Sequence, residues 1–152
     1  MPRDGVVVID RGWNRAIQAS RMINRRAVKV GLRAGPANDG VQVVDYAIFN
    51  EFGTAHIPAR PFMRHTADTQ ERPLQAYTRR LIGPMLDGRM GVDTVLSSVG
   101  QWYQAAMRRT IRQSRSWADP NAPSTIALKG SSTPLIDQGV LVSSIDFEIT
   151  PR

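Results

Sequence analysis

The chain of 152 residues has no cysteine, which excludes a disulfide framework, a thiolate metal site and a cysteine nucleophile. Histidine is nearly as scarce. His56 and His65 are the only two, and with Glu51 as their one plausible companion they match no recognised metal-ligand spacing. Long hydrophobic runs are also missing: none approaches the ~18 apolar residues of a membrane-spanning helix, so no membrane partner is expected. No Gly-x-Ser-x-Gly elbow, Gly-x-Gly-x-x-Gly loop or phosphate-cradling Gly-Lys-Ser/Thr run occurs. The scattered carboxylates are mostly accounted for as helix caps, Asp10 and Asp45 among them. No catalytic, cofactor-binding or metal-binding residue is therefore assigned, no cofactor is expected, and the chain reads as not an enzyme.

What the sequence does have is arginine. Lys and Arg together number 20 against 13 Asp and Glu, a net charge of +7, and only Lys29 and Lys129 are lysines. The planar guanidinium suits phosphates and protein interfaces alike, so charge alone leaves both partner classes open. A hydrophobic content of 41% supports one compact core, and one domain over 1–152 is expected. Residues 1–27 are a candidate variable N-terminal helical arm. Twelve Gly and ten Pro imply many loops.

Residues 5–9 read as a short apolar strand or extended arm. Asp10 then offers an N-cap for an amphipathic helix to about Arg26, with Trp13, Ala16, Ile17 and Ile23 at helical spacing. Val28, Val30 and Leu32 alternate with Lys29, Gly31 and Arg33 as in a half-buried strand, and residues 41–44 are expected to return beside it as a hairpin around an open loop at 35–40. Asp45 caps a short helix through Phe52, in which Tyr46, Phe49 and Phe52 share one face and Gly53 is the left-handed stop. Pro61 starts the next helix, which restarts at Pro73 and ends before Gly83-Pro84. Another runs from about Val92 to Gln113 with basic residues at its end. Residues 114–134 are polar and proline-broken with one helical turn at 124–128, and Ile145, Phe147 and Ile149 alternate as a last strand. The sum is α+β: a small antiparallel sheet of at least three strands, covered by two or three helices, with long irregular loops.

The run Tyr46-Ala47-Ile48-Phe49-Asn50-Glu51-Phe52-Gly53-Thr54, followed by Ala59-Arg60-Pro61-Phe62, resembles the tail-completion and head-tail joining (neck) proteins of tailed bacteriophages. Trp117-Ala118-Asp119-Pro120-Asn121 and the stretch from Pro134 to Ile145 are similar to the Mu-type virion morphogenesis branch of that group. The resemblance implies a structural virion protein at the head-tail junction, assembled in the bacterial host cytoplasm. It would work as a tail-completion, tail-terminator or neck (connector) component. Its copies would form a homo-oligomeric ring, hexamer or dodecamer, around the DNA passage and bind other phage neck and tail proteins.

Candidate subunit or partner contacts are Glu51, Phe52, Gly53, Thr54, Arg60, Pro61, Trp117 and Asn121. Glu51 and Arg60 are expected to pair across the loop 54–60 or to reach a neighbour, and Trp117 is expected to be exposed. Candidate contacts to genomic DNA or an acidic partner are Arg21, Arg25 and Arg26 with Arg108, Arg109, Arg112 and Arg115, which make one face if the two basic helices lie side by side. The alternative function is a non-specific DNA-binding or packaging accessory protein. A small hydrolase is the third, and would need an activity that depends on His56 or His65.

Overall fold

The computed structural model describes residues 10–36, 40–136 and 139–152. The strand expected at 5–9 and part of the loop at 35–40 lie outside them. The chain order is α1 (Trp13–Asn24), β1 (Arg26–Leu32), α2 (Val43–Phe52), α3 (Phe62–Leu86), α4 (Val92–Arg112), α5 (Pro123–Lys129), α6 (Val140–Ser144) and β2 (Ile145–Pro151), with a 3-10 turn at Ser114–Ser116.

α1 is prepared from two residues upstream. Asp10 Oδ1 accepts the N–H groups of Gly12 and Trp13, at 2.9 and 2.6 Å, and Asn14 donates to its other oxygen. Partial desolvation pushes the Asp10 carboxyl up, but the backbone N–H groups of Gly12, Trp13 and Asn14 outweigh it and hold the group below its ordinary value.

The fold is α+β, with β1 and β2 forming a two-stranded antiparallel sheet. The alternation in β1 was read correctly, but its partner was not. Val28, Val30 and Leu32 stand opposite Ile149, Phe147 and Ile145, so the ladder closes between the two ends of the chain. Residues 41–44 contribute only an isolated bridge, Gln42 to Pro36. Val43 is buried as the first residue of α2, on the same side as Ala47, and that burial outweighs a second strand. Among the described residues the sheet therefore has two strands, not three.

α3 runs unbroken through Pro73 and Pro84, where a restart and a stop were expected. Each proline removes one backbone donor, but Thr69, whose carbonyl loses its partner at Pro73, is exposed to water. Packing on α4 holds the two halves in line, and Tyr77 stacks on Trp102 with 5.6 Å between centroids.

α4 packs against α1, α3, α6 and both strands. Its first half enters one apolar cluster with Ala19 of α1 and Met85 of α3. Its last turns enter another with Val43, Phe62, Leu135, Leu141 and Ile145. The sheet crosses between them, and there Gly100 lets the ring of Phe147 lie directly on the helix backbone. A Cβ at that position would come within 2.2 Å of the ring. The carbonyl of Ile145 accepts hydrogen bonds from Gln104 and Arg108, at 2.9 and 2.7 Å, which tie the start of β2 to α4.

Two outcomes follow from this packing. In an ordinary helix Gly to Ala stabilises by about 1 kcal/mol, whereas Gly100→Ala must overpack the Phe147 contact at a cost of about 1–3 kcal/mol. Its midpoint in urea unfolding is expected to fall, and a rise would rule out the contact. Asp146 is held below the ordinary carboxylate range by the Phe147 N–H first and by its Arg33 partner next, against partial desolvation. Its folded value is depressed, so its contribution is complete above the unfolded value of about 4 and is lost as pH falls through the folded one. Asp146→Asn should flatten the acid limb of a stability-against-pH curve below about pH 4, and an unchanged limb would show that the pairing has no energetic weight.

Candidate functional site

The motif residues between α2 and α3 form one hydrogen-bonded junction. Gly53 ends α2 at φ 75 and ψ 171, a region that essentially only glycine occupies, and a Cβ there would meet the Ala59 nitrogen at 2.9 Å and the Ile57 oxygen at 3.1 Å. It is a stop with positive φ as expected, though its ψ departs from the left-handed helical region. Thr54 closes the next turn: its hydroxyl accepts from the N–H groups of His56 and Ile57, and its own N–H donates to Ile57. Arg60 N–H then donates back to the Asn50 carbonyl, and the Asn50 amide to Tyr46.

Glu51 is the centre of this junction. Its side chain is buried, and its carboxylate accepts the N–H groups of Met63 and Arg64, at 2.9 and 3.1 Å, in the first turn of α3. Helix starts leave such donors without partners and carry partial positive charge, so a carboxylate is well placed there. Arg64 completes the arrangement through its Nε on the carboxylate, at 3.2 Å, and its Nη2 on the Glu51 carbonyl, at 2.7 Å. The expected pair with Arg60 does not form. Arg60 is buried and reaches the other motif segment, donating to the carbonyls of Asp119 and Pro120 at 2.8 and 3.1 Å.

The two motif segments, nearly 60 residues apart in the chain, are therefore bound to each other. Trp117 is half-buried, not exposed. Its ring stacks on His65 with centroids 4.3 Å apart, and its indole N–H donates to the Thr110 carbonyl. Asn121 is buried and donates to Thr133 at 3.4 Å. His65 is held in that stack, and His56 is exposed on the turn. No group of three or more His, Asp or Glu able to hold a metal ion occurs among the described residues. Between α2, the turn and α5 lies an open groove of about 570 Å³, lined in part by Tyr46, Ile57, Pro58, Pro120 and Lys129.

Of the candidate contact residues, Glu51, Arg60 and Asn121 are engaged inside the chain, while Phe52, Thr54 and half-buried Pro61 reach its surface. Phe52 is 69% exposed, with the Arg64 guanidinium 5.4 Å above its ring. In α2, Val43, Ala47, Asn50 and Glu51 face inward, while Ile48, Phe49 and Phe52 face outward. The spacing of Tyr46, Phe49 and Phe52 puts them on one face without saying which way that face points. The overlooked signal was Asn50-Glu51, a polar pair needed inside to hold the turn and the next helix.

The arginines are not one face. Arg26 pairs with Asp93 in the first turn of α4, whereas Arg108 to Arg115 begin 15 residues later, about 22 Å along a helix rising 1.5 Å per residue. Arg108 is turned to Ile145. Arg21 and Arg25 remain exposed at the end of α1, and Arg109, Arg112 and Arg115 at and just beyond the end of α4.

The chain was compared with protein-family models, with curated proteins and with solved structures, and no match was found in any of the three. No helix among the described residues is long and apolar enough to cross a membrane.

The junction makes its own test. Glu51→Ala leaves two helix-start donors and a paired Arg without their acceptor; lost caps cost about 0.5–2 kcal/mol and charge-assisted bonds about 1.5–3 kcal/mol. A destabilisation of about 2–4 kcal/mol is expected in denaturant unfolding, with Glu51→Gln retaining part of it. A loss below about 0.5 kcal/mol, the range of an ordinary surface change, would contradict the capping role.

Proposed function

We propose that this protein is a non-enzymatic structural subunit of a tailed bacteriophage, one of the copies of a ring at the head-tail joint through which the DNA passes. The observation that carries the reading is the bond between the two segments that resemble neck and tail-completion proteins. Arg60, from the first, holds the backbone of Asp119 and Pro120, from the second. Residues that resemble one family at two distant places are thus parts of a single structural unit. The outward face of α2 adds support, since an apolar helix stripe on a free surface suits a protein that works in contact with others.

In this reading the ring is a hexamer or dodecamer in the virion, and its neighbours are other neck and tail proteins. Light scattering on the purified protein is expected to give a mass several times that of one chain, and purified particles are expected to contain the protein at the head-tail junction. Its absence from particles would sink the structural reading and leave an assembly factor.

One observation favours the second reading, a DNA-binding or packaging accessory: Arg109, Arg112 and Arg115 project together where the C-terminal end of α4 meets the turn after it. Because the two basic clusters are apart, this one engages about three phosphates, and the binding constant should fall with salt at a log-log slope of about −3, not about −6. A monomer with steep salt dependence would favour the accessory role over the ring.

A further inference from the structure

The outer face of α2 exposes Ile48, Phe49 and Phe52 at 47%, 42% and 69%. With aromatic side chains presenting about 150–250 Å² each, the stripe leaves roughly 300 Å² of apolar surface open, the scale at which a patch on a monomer marks a contact site. Charged groups border it at both ends, Asp45 in the first turn of α2 and Arg64 over the Phe52 ring. The stripe is also held in place, since α2 is locked to α3 through Glu51 and the Phe52 ring lies under Arg64.

A second large apolar group stands at the other end of the molecule. Trp13, in the first turn of α1, is 72% exposed beside Arg11. α1 is fastened there to the end of α3, where Arg15 donates to the Asp87 carbonyl. α2 is fastened to the start of α3. The 25 residues of α3 place the two about 37 Å apart along its axis.

We propose that the outer face of α2 in one copy packs on the Trp13 patch of α1 in the next copy. This rests on the ring reading above and specifies its contact. A single self-complementary patch makes a two-fold dimer, whereas two different patches at opposite ends make a head-to-tail contact that repeats until the ring closes. The chemistry matches across it: an apolar stripe with an acid at Asp45 meets an aromatic anchor with a base at Arg11, and Trp and Arg are the residues in which interface energy concentrates.

The absence of native cysteine makes the test clean. In the full chain, Phe52→Cys with Trp13→Cys should give, on oxidation, a ladder of covalent multimers ending at the ring size, while either variant alone stays uncrosslinked. Phe52→Asp and Trp13→Asp, both at exposed positions, should each lower the light-scattering mass to that of one chain with an unchanged circular dichroism spectrum. Ile48→Asp repeats the first if Phe52→Asp does not fold. A wild-type assembly whose mass survives these changes and that gives no ladder overturns the contact and leaves the ring standing. Dimers from Phe52→Cys alone would replace it by a two-fold contact between α2 faces. A wild-type chain that is monomeric and gives no ladder overturns the ring reading, and the contact with it.

Discussion

A carboxylate taken out of water is costly unless charge-assisted hydrogen bonds replace its hydration. Glu51 receives three of them: two from the first N–H groups of α3 and one from Arg64, which also returns to the Glu51 backbone. Both participants gain. The carboxylate finds donors oriented by the helix, and the helix start, otherwise left with unpaired N–H groups, finds an acceptor. Because the carboxylate comes from the last turn of α2, the same bonds set how α2 meets α3. Gly53 must then leave α2 by a path barred to other residues, and Arg60 arrives where it can hold the segment at 119–120.

The geometry of α2 is a consequence of that constraint. A helix of ten residues cannot turn both Glu51 and its phenylalanines inward, since Phe49 and Phe52 lie roughly opposite Asn50, Ala47 and Val43 around the axis. The buried acid therefore puts two aromatic rings outside. Within one subunit this is unfavourable, because hydrophobic burial is the main driving force of folding. α4 shows the contrary case: its apolar stripe is buried at both ends, against α1 and α3 at one and α2 and β2 at the other, and half-buried between them, with Gly100 marking where the sheet comes closest.

The longer helices and the two strands were legible because their signals are local, whereas the five-residue α6 carries no such signal. Alternation in 28–32 and 145–149, the 3.6-residue stripe of α4, and the Gly53 and Pro61 punctuation all report on residues near one another. What was not legible depends on distant partners. Nothing near Val28 says that its ladder partner is Ile149 and not a residue at 41–44, and nothing near Pro73 says that packing on α4 will carry a helix through it. The motif residues were found, but their roles were assigned by type. Glu51 and Arg60 were matched as opposite charges across a short loop, whereas one bonds a helix start and the other two carbonyls nearly 60 residues away. Charge counting likewise joined arginines that α4 holds at its two ends.

The residues that resemble a binding motif and the residues free to bind are therefore different sets. Glu51, Arg60 and Asn121 are satisfied within the chain, and exposing them to a partner would break bonds that hold the junction. Their effect on the surface is indirect: they present Ile48, Phe49 and Phe52, which make few demands on the fold and remain exposed. A buried acid at a helix start tolerates little change in geometry, whereas an apolar contact between subunits requires only area and shape. The exposed side chains at this site are thus ones that the fold does not use, placed by others that it cannot do without.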